Sequence, residues 1–144
     1  MENLIPLELV ELEPGSYHIV VKASFGEYPD SYWLLDTGAS KSVFDSNCAE
    51  LCITDEMANT AAHGIGKDAV EASTGSIAEL TLNGINYGKL HVAIVDLLHI
   101  NNEYSKFCSK RIIGLLGSDF FIRANALIDY NLMILRTINS DIKS

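Results

Sequence analysis

Asp36, Thr37 and Gly38 stand together at the end of an apolar run, in the stretch "YWLLDTGASKSVF" (32–44). Trp33, Leu34 and Leu35 lead directly into the carboxylate. A carboxylate in that position is costly to bury unless it is hydrogen-bonded or shares a proton with a second acid. The residues beside it suit that need. Gly38 lets the backbone turn tightly towards the carboxylate, so that peptide N–H groups can donate to it. The Thr37 hydroxyl can cross-link the turn, and Leu34 and Leu35 anchor the strand in a core. Two such carboxylates sharing one proton form an acid–base pair: the charged one activates a water and the protonated one polarises a carbonyl. The plainer alternative is an ordinary turn, which Asp, Thr and Gly all favour.

Asp96, Asp119 and Asp129 stand in "VDL", "SDF" and "IDY", and none is followed by Thr-Gly or Ser-Gly. A partner for Asp36 must therefore come from a second copy of the chain, and a two-fold homodimer sets Asp36 against its own symmetry mate. Other reactive residue types make weaker patterns. Cys48 and Cys52 in "NCAELC" are four apart, without the C-x2-C spacing of a metal pair, and His18, His63, His91 and His99 are scattered. The thiols read as buried structural groups, and no metal or other cofactor is expected.

Several short β runs must position Asp36. "LIPLELVEL" (4–12) alternates apolar and polar residues before a Pro-Gly turn at 14–15. "YHIVVKASF" (17–25) reads as a second strand, "GEYPDS" (26–31) as a turn and "YWLLD" (32–36) as a third strand. "SVFDSNCAELC" (42–52) carries Val43, Phe44, Cys48, Leu51 and Cys52 at helical intervals, with Ser40 or Ser42 as N-cap. A polar segment (54–74) contains "HGIGK". Asn83-Gly84 predicts a tight hairpin, with a return strand through Val92, Ile94 and Val95. "HINNEYSKFCSKR" (99–111) reads as a polar loop, and "IIGLLG" (112–117) as a buried strand. "SDFFIRANA" (118–126) reads as a short helix and "LIDYNLMILRT" (127–137) as a closing strand pair.

The chain of 144 residues fits one domain, and 48% apolar with 20% charged residues is a globular composition. Its net charge is −9, and the 10 basic residues form no cluster of the kind a phosphate backbone requires. No nucleic-acid partner is therefore expected. A membrane partner is not expected either, because no apolar run approaches the roughly 20 residues that span a bilayer. The N-terminal "MENLIPLELVELE" is acidic and lacks the basic start of a signal peptide. Three cysteines without a disulfide framework suggest a reducing compartment, so a cytoplasmic location is expected.

Three motifs, in this order, resemble the retropepsins, the dimeric aspartic proteases of retroviruses. They look closest to the retroviral-protease-like domain of eukaryotic DNA-damage-inducible proteins and to similar bacterial domains. "LLDTGAS" (34–40) resembles the catalytic loop, and "HGIGK" (63–67) the glycine-rich flap. "GLLGSDFF" (114–121) is similar to the late glycine motif and its short helix. The resemblance covers about residues 17–137. It implies a mostly β, closed barrel-like acid-protease fold with one or two short helices. It assigns Asp36 the catalytic role, with Thr37, Gly38, Ala39, Ser40 and Gly117 supporting the loop. Thr37 would clasp the loop of the other subunit, and Gly64, Ile65 and Gly66 would form the flap tip over a peptide or protein substrate. The terminal strands that pair across the viral dimers have no recognisable counterpart in the sequence.

Two functions compete on these residues. One is a homodimeric aspartic endopeptidase that hydrolyses peptide bonds with a water activated by two Asp36 carboxylates. The other is a catalytically silent module of the same fold, used for peptide binding or dimerisation. A lone β-domain with a fortuitous turn is a third reading, and it predicts a monomer.

Overall fold

The computed structural model describes residues 2–55 and 73–138, with the backbone alone for 53–55. In chain order the first strands are β1 (Glu2–Pro6), β2 (Glu8–Glu11), β3 (Tyr17–Phe25), β4 (Tyr28–Leu35) and β5 (Val43–Asp45). A 3-10 helix (Ser46–Leu51) leads to β6 (Ile53–Asp55). Next come β7 (Ser73–Ile77), β8 (Thr81–Leu82), β9 (Ile85–Asn86), β10 (Leu90–Val95) and helix α1 (Leu98–Ser105). The chain closes with β11 (Ile112–Leu116), helix α2 (Ser118–Arg123), β12 (Leu127–Asp129) and β13 (Ile134–Ile138).

Ten strands form one sheet in the order β6-β7-β10-β5-β11-β4-β3-β8-β9, with β2 added beside β3. β4 lies inside this sheet, antiparallel to β3 and parallel to β11. That placement explains why an apolar run leads up to Asp36: a strand paired on both sides has its backbone satisfied and carries core residues. Trp33 is fully buried, and its indole fits because residue 114 is glycine. A Cβ at Gly114 would collide with the Trp33 ring and stand 2.8 Å from the Val43 carbonyl. Phe25, Trp33 and Phe44 pack ring against ring in the main core. At the expected hairpin, Asn83 (φ 49°) and Gly84 (φ 82°) both adopt the left-handed conformation that a two-residue turn with the sheet's twist requires.

Four elements differ from the reading of the sequence. The single strand expected over 4–12 breaks at buried Leu7, whose N–H donates to the Met133 carbonyl. β1 then joins β13 and β12 in a separate three-stranded sheet, while β2 stays with β3. The N- and C-terminal strands therefore pair within one chain. β4 begins at Tyr28, which reduces the expected 26–31 turn to Gly26 and Glu27.

The helix expected over 42–52 opens as β5, because Val43–Asp45 pairs in register with Ala93–Val95, and it continues only as a 3-10 turn. Strand pairing outweighs the helical spacing there, and Cys48 has non-helical φ −123°. Cys48 is buried and Cys52 half-buried, both as free thiols, and burial pushes both up, so they remain protonated packing groups.

The fourth difference is α1, where a polar loop is expected. Leu97, Ile100, Tyr104 and Cys108 recur every three or four residues and pack on Val20, Ile112 and Leu115 in a second cluster. The Asn101 amide fixes the helix to β11, accepting from the Ile112 N–H at 2.6 Å and donating to the Ile112 carbonyl at 2.9 Å. Among the described residues, no helix is long and apolar enough to cross a membrane.

Candidate active site

Asp36 follows directly on β4, where its N–H donates to the Leu116 carbonyl of β11 at 2.9 Å. The chain then turns back on the aspartate. The Gly38 N–H donates to Asp36 Oδ1 at 3.1 Å, and the Ala39 N–H donates to the Asp36 carbonyl at 3.0 Å. One carboxylate oxygen is thus fixed by the backbone, and Oδ2 has no partner among the described residues. Thr37 and Ser40 are exposed, and neither side chain makes a hydrogen bond among the described residues.

The loop is braced from behind by the junction of β11 and α2. The Ala39 carbonyl accepts from the Ser118 N–H at 2.8 Å and from its hydroxyl at 3.2 Å. Buried Ser42 accepts from the Gly117 N–H at 2.9 Å and donates to Asp119 Oδ1 at 2.7 Å. Asp119 also accepts from the Ser42 N–H and the Phe120 N–H, which locks the loop end to the start of α2. Gly117 allows this close approach: a Cβ there would lie 2.7 Å from the Ala39 carbonyl oxygen. Ser42→Ala leaves the buried Gly117 N–H without a partner and Asp119 Oδ1 with the Phe120 N–H alone, and should cost about 1–3 kcal/mol. Chemical unfolding of the two proteins checks it; an unchanged midpoint would show the brace to be dispensable.

Asp96, Asp129 and Asp45 are also committed elsewhere. The Leu98 N–H and the Asn47 amide hold the Asp96 carboxyl below the usual carboxylate range. Asp129 accepts from the Asn131 and Leu132 N–H groups and lies 3.7 Å from Arg136. Buried Asp45 takes the Leu97 N–H, the Asn47 amide and Arg111. A cavity of about 260 Å³ opens beside Asp36, lined also by Tyr17, His18, Leu34, Thr37 and Tyr130. Asp36 is the one carboxylate that lines it among the described residues.

The sequence that builds this loop, its strand and the start of the short helix behind it also matches a known family. The model of the aspartyl protease family matches residues 21–120, well over half of the chain. The chain belongs to the aspartyl protease family. Compared with curated proteins, the sequence matches none. Two solved structures share the fold. A retropepsin-like aspartic protease from Rickettsia conorii superposes with a TM-score of 0.57 at 16% identity, covering 97% of this chain and 94% of that one. The retroviral protease-like domain of Ddi1 from Leishmania major gives 0.56 at 19% identity, covering 84% and 88%. Both are retropepsin-like, and so is the mostly β fold of this aspartyl protease family member.

The structure brings Asp36, Thr37, Gly38, Ala39, Ser40 and Gly117 into one locus. Gly64, Ile65 and Gly66 lie outside the described residues. Ser42 and Asp119 were not singled out as one unit by the sequence, although a serine six residues after Asp36 and an acid opening α2 are both visible in it. The family match covers residues 21–120, so the lining residues Tyr17, His18, Ile19, Ile128 and Tyr130 lie outside it.

Proposed function

We propose that the protein is a homodimeric aspartic endopeptidase. The observation that carries this reading is that Asp36 is held by its loop in an open cavity that contains no second carboxylate among the described residues. Each of two chains contributes one Asp36, and the two carboxylates share a proton. The charged carboxylate takes a proton from a water as that water attacks the scissile carbonyl. The protonated carboxyl donates to the carbonyl oxygen and polarises it. Thr37, exposed and without a side-chain partner among the described residues, clasps the loop of the other subunit. Gly64, Ile65 and Gly66 close over the bound peptide as a flap, which keeps bulk water from the reacting atoms.

The exposed face of the β1-β13-β12 sheet supports association. Leu4 and Leu127 flank Arg136 in register, and Ile138 lies two residues along the same face. All three apolar side chains are exposed, and a second copy would cover them.

Two carboxylates a few ångströms apart cannot both ionise cheaply, so the pair retains one proton, and loss or gain of a proton stops turnover. Activity should therefore follow a bell-shaped pH profile with its optimum on the acid side of neutral. Specific activity should also fall on dilution through the dimer dissociation constant, more steeply at roughly pH 8 than at pH 5 because the doubly charged pair repels. Digestion of a peptide library across protein concentrations, with mass by light scattering alongside, tests the proposal. A monomer that stays fully active at high dilution would overturn it.

A further inference from the structure

We propose that His18 is a specificity-determining residue: its Nε2–H donates a hydrogen bond to an uncharged acceptor, the side-chain carboxamide of a substrate Gln or Asn, in the cavity beside Asp36. This inference rests on the endopeptidase reading only in taking that cavity as a peptide site. His18 lies near the start of β3, opposite Val10 of β2, and lines the same cavity as Asp36. Its Nδ1 is 2.9 Å from the Tyr104 hydroxyl, with the rings tilted at 52° and 5.7 Å apart.

Tyr104 is fully buried on α1, and Nδ1 of His18 is the partner of its hydroxyl among the described residues. Burial, with Cys108 adding to it, pushes the phenol far above the usual tyrosine range, so the hydroxyl keeps its proton. A buried hydroxyl must place its hydrogen on an acceptor, and Nδ1 is the acceptor in reach. The neutral imidazole therefore carries its own hydrogen on Nε2. Nε2 has no partner among the described residues.

His18 stands beside Ile19, Leu34, Leu35 and Ile128 in a lining that also carries Tyr17, Thr37 and Tyr130, and a donor there selects for an acceptor, because an apolar side chain held against it would leave the N–H unpaired. Charge narrows the choice. Asp36 lines the same cavity and the whole chain carries −9, so a carboxylate is disfavoured against a carboxamide of the same shape.

The test uses peptides carrying Gln, Glu or Leu at each position in turn. Cleavage by the wild type and by His18→Leu is measured. Binding is measured to the Asp36→Asn protein with and without His18→Leu, so that recognition is read without turnover. At one position the wild type should favour Gln over Leu by about ten-fold, the worth of one hydrogen bond, and His18→Leu should abolish or reverse that preference. Tyr104→Phe should weaken the preference and redistribute the ring hydrogen between Nδ1 and Nε2, read from the imidazole 15N shifts. An unaltered shift would show that Tyr104 does not set the tautomer and would overturn that part.

Cleavage with the same preferences in both proteins overturns the inference and leaves the endopeptidase reading standing. Absence of cleavage with a His18-dependent preference in binding does the reverse. A preference for Glu over Gln at the His18-dependent position, or no His18-dependent preference in either measurement, overturns the inference.

Discussion

Asp36→Asn is expected to lower peptidase activity by about a thousand-fold or more, the scale of a lost general acid–base pair, while leaving the protein folded. The asparagine keeps the oxygen that accepts the Gly38 N–H, the one side-chain hydrogen bond Asp36 makes among the described residues. It cannot take a proton from water, and it cannot share one with a second carboxylate. The substitution therefore separates chemistry from architecture. Thermal unfolding and light scattering should match the wild type while peptide digestion stops. Digestion at the wild-type rate would remove Asp36 from the mechanism and leave the loop a structural turn.

The second large effect is expected at Gly117. Its φ is −101°, which any residue adopts, so the requirement for glycine is steric. An added Cβ would stand 2.7 Å from the Ala39 carbonyl oxygen and 2.9 Å from the Lys41 carbonyl carbon, both backbone atoms. Neither can turn away as a side chain can, so the loop must shift as a whole. Gly117→Ala should cost about 1–3 kcal/mol of stability through overpacking. Because the shifted loop carries Asp36, the rate should also fall by about a hundred-fold. Gly38→Ala is the matching control: its Cβ would meet only Asp36 Oδ1, at an ordinary 3.5 Å. If the two alanine variants unfold at the same denaturant concentration, the brace does not bear on the loop.

This contrast also shows what a sequence can reveal about such a site. The Asp36 loop was legible because its parts are contiguous, and "LLDTGAS" holds the strand end, the acid and the turn within seven letters. β11 and α2 were legible as an apolar run followed by a short amphipathic one. The brace was not, because Ser42 and Asp119 meet only through tertiary folding, and Ser42 also reads as an ordinary helix cap. α1 was hidden by its polar residues, although Leu97, Ile100, Tyr104 and Cys108 carry helical spacing. With α1 went the Tyr104 contact to His18, which joins residues 86 apart in the chain. The 42–52 segment misled in the opposite direction: its spacing is helical, but β10 and β11 claim Val43 and Phe44 for the sheet.

An active site built from two chains should show itself when intact and disabled chains are mixed. Wild type and Asp36→Asn are combined at fixed total concentration, allowed to exchange subunits, and assayed for peptide cleavage across the range of mixtures. Only a dimer with two aspartates can share a proton between them, so activity should follow the square of the wild-type fraction. An equal mixture should then retain about a quarter of the wild-type rate. Retention of about a half, on a straight line through all mixtures, would mean that each chain works alone and would contradict the shared site.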